Sequence, residues 1–144
     1  MKPVSLSPAK ARRIWLRAQR LDVAEPFGTE PAATPAAVAH LGYVQIDTIH
    51  VIERCHHHIL FTRIPSYRRE HLHQAQNVDK TVFEYWTHAL SYLPTGSLRY
   101  YVRDMRDWQR SVVYDEVDKA DLRRVLGRIR RGGPVSIRDL DADT

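Results

Sequence analysis

Gln45 and Asp47, two side chains with acceptor oxygens, are separated by one aliphatic residue in the run Leu41-Gly42-Tyr43-Val44-Gln45-Ile46-Asp47-Thr48-Ile49. Extended backbone turns alternate residues to opposite sides, so Val44 and Ile46 anchor the segment while Gln45 and Asp47 converge on one patch. A carboxylate beside a carboxamide can hold a water and take its proton. The same residues have a second use. Asp47-Thr48 stands directly before an apolar-periodic run, where either side chain would cap the start of a helix.

Other chemistry-bearing residues form less specific patterns. His56-His57-His58, with Cys55 and His50 close by and His71 and His73 further on, invites a metal reading. Consecutive helical residues point about 100 degrees apart, so three in a row cannot grip one ion, and the spacing matches no zinc signature. We therefore expect no metal, with one or two of these histidines packing and the rest meeting solvent or a ligand. Phe83-Glu84-Tyr85-Trp86-Thr87-His88 could stack nucleobases, but an aromatic, β-branched run more often builds a strand core. Glu84 and His88 interrupt that run and are candidates to line the Gln45–Asp47 patch, together with His50 and His57. Absence of a glycine-rich phosphate loop, of a Ser-His-Asp set with supporting context and of a cysteine pair argues against nucleotide hydrolysis and covalent protease chemistry.

Positioning this patch falls to short elements. Ser7-Pro8 is a cap-then-proline helix start. Ala11, Ile14, Trp15, Ala18 and Leu21 repeat at helical spacing and are expected to face a core, with Lys10, Arg13, Arg17 and Arg20 as a basic stripe beside them. A solvated face explains such a stripe as readily as a binding face does. Residues 22–33 read as a loop. Thr34-Pro35 repeats the helix start, and Gly42 ends that helix. A third helix is predicted from near Ile49 to about Arg63, with Ile49, Ile52, Cys55 and Ile59 on its apolar face, until Pro65-Ser66-Tyr67 breaks it. Arg69–Gln76 reads as a short polar helix, Thr81–Trp86 as a strand, and Pro94-Thr95-Gly96-Ser97 as a turn. Leu98, Tyr101, Val102, Met105 and Trp108 then define an amphipathic helix whose other side carries Arg99, Arg103, Arg106 and Arg110. A last full helix spans Lys119–Arg131 and stops at Gly132-Gly133-Pro134. Ser136 would cap the opening of a further helix-turn-helix, which implies the front portion of a longer chain.

With 144 residues, 43% hydrophobic and 27% charged, the chain can bury a core of its own. Twenty-two Lys and Arg against seventeen Asp and Glu leave a net charge of +5, which favours a polyanionic partner. Only Lys2, Lys10, Lys80 and Lys119 are lysines, and the planar guanidinium of the remaining cations suits phosphate. Cys55 has no internal disulfide partner. No signal peptide and no run of the roughly 18 apolar residues a bilayer span needs is present, so a cytoplasmic, non-membrane protein is expected.

Three motifs in one order, Gln45-Ile46-Asp47-Thr48-Ile49, Leu60-Phe61-Thr62-Arg63-Ile64-Pro65-Ser66-Tyr67 and Phe83-Glu84-Tyr85-Trp86-Thr87-His88-Ala89, closely resemble the N-terminal part of the YcaQ and AlkZ family of bacterial winged-helix DNA glycosylases. The resemblance extends from about Leu6 to Leu140. It implies Gln45 and Asp47 as the catalytic pair, in the Gln-aliphatic-Asp form of the YcaQ branch rather than the Gln-aliphatic-Gln form of the other. It also implies duplex DNA with alkylated or crosslinked purines as the substrate, hydrolysis of the N-glycosidic bond without metal, flavin or nucleotide cofactor, and a monomer that associates with the nucleoid when bound to DNA. The chain departs from the Escherichia coli-type sequence of the family at position 50, which has Asn there where this chain has His50.

Together these readings give a mainly α fold with a small β component. A first winged-helix domain carrying the motif is expected over 1–115, then a linker helix and the start of a second winged-helix unit over 116–144. Arg13, Arg17, Arg20, Arg99, Arg103 and Arg106 are the expected phosphate contacts. The rival reading is a winged-helix DNA-binding protein or transcription regulator in which Asp47 merely caps a helix. A helical protein-interaction domain with a basic surface is a third.

Overall fold

A computed structural model describes residues 3–110 and 117–141. Among the described residues α-helices and strands follow in the order α1 (Pro8–Ala18), α2 (Ala33–Leu41), β1 (Val44–Gln45), α3 (Cys55–Phe61), α4 (Arg69–His73), β2 (Val82–Trp86), β3 (Leu90–Pro94), α5 (Leu98–Gln109), α6 (Lys119–Gly132) and α7 (Ile137–Asp141). The fold is mainly helical with one small antiparallel sheet, as expected. The chain packs as two compact units, Met1–Tyr100 and Tyr101–Thr144. The expected boundary between residues 115 and 116 lies outside the described residues.

In the first unit the strand order is β1-β3-β2, with β3 central. Val44 lies opposite Tyr92 and Gln45 opposite Ser91, while Glu84 and Tyr85 face the same two residues from the other side. Directly opposed residues share a face, so one row is Val44-Tyr92-Glu84 and the other is Gln45-Ser91-Tyr85. Val44 and Val82 belong to a buried cluster with Ala37 and Val38 of α2, Leu60 of α3, and Ile64, Leu72 and Ala75. Burying these side chains removes apolar surface from water at roughly 25 cal/mol per Å². Polar pins supplement them: Thr34 donates to Glu30 at 2.6 Å, and the same Glu30 oxygen lies 3.3 Å from His71.

Three expectations change. Helix α1 starts as read, with Ser7 Oγ accepting the Lys10 amide at 3.3 Å, yet none of its residues is buried: Ile14 is 50% and Trp15 72% exposed. What holds its C-terminal end is polar. Arg63, itself buried, donates to Gln19 Oε1 at 3.0 Å, and His40 Nε2 meets the Ala18 carbonyl at 2.9 Å. Helix α2 begins at Ala33, so Thr34 lies inside it, and its hydroxyl reaches back to Glu30 instead of capping.

The third helix starts at Cys55, not near Ile49. Residues 46–54 form an irregular loop closed by a bridge between His50 and Arg54. Helical spacing ran backward through that loop because Ile49 and Ile52 happen to match the period of α3. Strand β3 was not read from sequence at all.

In the second unit Asp118 Oδ1 accepts the Ala120 amide at 2.7 Å and starts α6. Ser136 is tied to Asp139 Oδ2 through both its amide and its hydroxyl at the start of α7. Among the described residues no helix is long and apolar enough to cross a membrane.

Candidate active site

Pairing of β1 with β3 brings two of the three sequence motifs together. Gln45 sits opposite Ser91, and the amide of Ile46 continues the ladder to the Leu90 carbonyl at 2.8 Å. The turn that joins β2 to β3 carries Thr87-His88-Ala89. Its hydroxyls are internally satisfied, Thr87 Oγ1 and Ser91 Oγ both donating to the Ala89 carbonyl at 3.1 Å. His88 projects from this turn edge-on to Tyr43, with ring centroids 5.2 Å apart.

Beyond Gln45 the backbone leaves the sheet, and Asp47 opens the irregular loop. Its Oδ1 accepts the Ile49 amide at 2.9 Å, a local Asx turn rather than a helix cap. No helix starts at Asp47 or Thr48, so the capping role expected of either residue does not hold. Instead the first residue of α3 approaches: the Cys55 thiol donates to the Gln45 carbonyl at 3.6 Å, satisfying the free edge of β1. Burial pushes the Cys55 thiol up, and the nearby negative charge of Asp47 adds to the rise. The thiol is therefore a neutral donor beside the carboxylate.

Asp47 lines an open groove of about 390 Å³ with Ile49, Val51, Ile52, Glu53, Cys55 and His58. A second groove of about 340 Å³ shares Glu53 and His58 and adds His57, Phe61, Tyr67, Arg68 and Arg69. His57 Nδ1 meets the Tyr67 hydroxyl at 2.7 Å. Burial and the nearby Arg54, His50 and His58 hold His57 below the usual imidazole range, and burial pushes the Tyr67 phenol up. Both are neutral near pH 7, which makes them hydrogen-bonding groups rather than charges. Next to them His56 is buried against Tyr92, its Nδ1 without a partner, and burial lowers it to about 4.

The remaining candidates separate. His50 is on the loop, 3.3 Å from Glu53. Glu84 shares its row with Val44 and Tyr92, on the sheet face opposite Gln45, and accepts from Gln76 at 2.6 Å. Arg17 pairs with Asp22 at 3.4 Å, Arg20 donates to the Pro26 carbonyl at 3.0 Å and lies over Phe27, Arg99 donates to the Tyr100 hydroxyl, and Arg103 faces Asp107 at 3.9 Å. Arg13 and Arg106 are exposed. Among the described residues no group of three or more His, Cys, Asp or Glu side chains could hold a metal ion.

Asp47 thus lines its groove just beyond the strand end that holds Gln45, and Gln45 is not among the residues lining that groove. Residues 38–144 match the sequence profile of the family DNA glycosylase AlkZ-like. The chain belongs to the AlkZ-like DNA glycosylase family. No solved structure matches it. The span that matches the AlkZ-like family contains every element from the second half of α2 onward, and so all three motifs. One neighbour of Asp47 came without a role from the sequence: Cys55 counted as an apolar helix position and a member of the His-rich run, and its contact depends on where α3 begins.

Proposed function

We propose that this AlkZ-like protein hydrolyses the N-glycosidic bond of alkylated purines in duplex DNA and unhooks interstrand crosslinks, with Asp47 as the base for the attacking water and Gln45 orienting it. The observation that carries this reading is the placement of Asp47: on the rim of an open groove, one residue from Gln45, in a member of a DNA glycosylase family. An N7-alkylated guanine carries positive charge on the base, so the leaving group departs without a general acid. The site must then supply a water and a negative charge for the oxocarbenium-like sugar. A carboxylate can do both. The Ile49 amide, donating to Oδ1 at 2.9 Å, fixes its direction. Such general-base assistance is typically worth about a hundred- to ten-thousand-fold.

The reading includes a winged-helix arrangement of the first unit, a YcaQ-branch Gln-aliphatic-Asp motif, phosphate contacts from Arg13, Arg17, Arg20, Arg99, Arg103 and Arg106, no cofactor, and a monomer working in the cytoplasm. The rival binding-module reading took Asp47 as a helix cap; its Oδ1 instead closes a local turn onto the Ile49 amide in the loop at 46–54. The decisive experiment is single-turnover release of N7-methylguanine from duplex DNA. Release by the wild-type protein and its loss in Asp47→Asn support the assignment. No release by the wild-type protein returns it to a DNA-binding role.

A further inference from the structure

The loop after Asp47 presents apolar side chains where burial would be expected. Ile49, Val51 and Ile52 are 68%, 89% and 84% exposed. Yet the loop is held at its base. Asp47 Oδ1 takes the Ile49 amide, His50 bridges to Arg54, and Glu53 Oε1 takes the Arg54 amide at 2.9 Å while facing His50. The other Glu53 oxygen pairs with Arg69. An apolar tip thus stands on a pinned base with Asp47 in the same groove; Arg54 is exposed at that base, and the exposed Arg68 and Arg69 line the neighbouring groove that shares Glu53 and His58.

We propose that Val51 and Ile52 form a wedge that enters the base stack of duplex DNA next to the nucleotide presented to Asp47. For a singly alkylated purine, the glycosidic bond comes within reach of a carboxylate on a protein surface when the nucleotide is displaced from the stack, and its displacement opens a gap. Apolar side chains fill such a gap without burying an unpaired polar group, and side chains of this type separate base steps in other DNA-bending proteins. The size of the tip selects this occupant. Two or three residues match one base step, whereas a stable protein interface takes roughly 20–30 residues a side. The flanking arginines have phosphates to meet on either side of the gap. The role of Asp47 comes from the proposed function, but insertion is measured without excision.

The test uses a duplex with the fluorescent base 2-aminopurine beside a stable abasic analogue. Binding of the wild-type protein is expected to unstack the probe and raise its fluorescence severalfold. The double variant Val51→Ala with Ile52→Ala should lose most of that rise, while Val51→Leu with Ile52→Leu retains it. Single-turnover release of N7-methylguanine should fall about tenfold or more in duplex DNA for the alanine pair, and much less in single strands, where no gap has to be held open. No rise with the wild-type protein, a rise kept by the alanine pair, or equal losses in duplex and single strands would each overturn the wedge. A wild-type rise lost by the alanine pair, without release of any alkylated base, would uphold the wedge and defeat the glycosylase reading instead.

Discussion

At the scale of single residues, Asp47 and His56 show what a local environment does to an ionisable group. Asp47 accepts the Ile49 amide through one oxygen, and an asparagine supplies the same acceptor. Asp47→Asn should therefore keep the fold and the affinity for DNA. An amide cannot take a proton from water, so single-turnover excision should fall by about a hundredfold or more; wild-type rates in the variant would remove Asp47 from the chemistry. His56 is only 3% exposed, and burial, followed by the charges of His57 and Arg54, lowers it to about 4. The unfolded chain binds that proton near pH 6.5, well before the folded protein does. Stability is thus fully present above about 6.5 and drains away as pH falls towards 4, by up to about 3 kcal/mol. His56→Leu, which also removes the unpartnered Nδ1, should flatten this slope in urea unfolding at pH 7.5, 5.5 and 4.5. An unchanged slope would assign it to other groups. The Gln45–Asp47 spacing was legible because it is local. The approach of Cys55 to both was not, since it joins residues eight or more positions apart across a loop read as helix.

Elements tell a similar story about what periodicity can carry. The cap at Ser7, the stop at Gly42 and the strand at 82–86 rest on residue types with one strong local meaning, and each is where it was expected. Periodicity finds α1 but runs on to Leu21, whereas the helix ends at Ala18, and it cannot say what the apolar face of that helix meets. Trp15 is exposed, and the described anchors of α1 are polar ones at its C-terminal end. Strand β3 escaped reading because Leu90-Ser91-Tyr92-Leu93-Pro94 is short and ends in proline, and its strand state comes from pairing on both sides. Arg63 provides the test at this scale. Its guanidinium bonds to the Ile59 carbonyl, the Thr62 hydroxyl and Gln19. Arg63→Ala leaves acceptors without a donor, a loss of about 1–3 kcal/mol for each that stays buried. Hydrogen exchange should accelerate throughout α1 while the amides of β3 keep most of their protection. A uniform loss across both would mean that α1 is not separately tethered.

For the whole molecule the governing quantity is charge. A net +5 carried mostly by arginine creates a field that draws polyanions, but the field says nothing of sequence or lesion. The structure also divides the arginines by how free they are. Arg20 is engaged with the Pro26 carbonyl and Phe27, so Arg20→Ala should loosen the 20–27 loop as much as it weakens DNA binding. Arg17 and Arg103 sit in exposed ion pairs, which are worth little and yield to a phosphate. Arg13 and Arg106 are exposed. If these side chains meet phosphates, binding to undamaged duplex weakens steeply as salt rises, because each neutralised phosphate releases close to one counterion. Arg13→Ala and Arg106→Ala should each lower the slope of log affinity against log salt by about one and leave the thermal midpoint in place. Affinity that stays constant between low salt and about 0.2 M would show these arginines to be an ordinary solvated surface, with DNA held instead by the loops around Asp47.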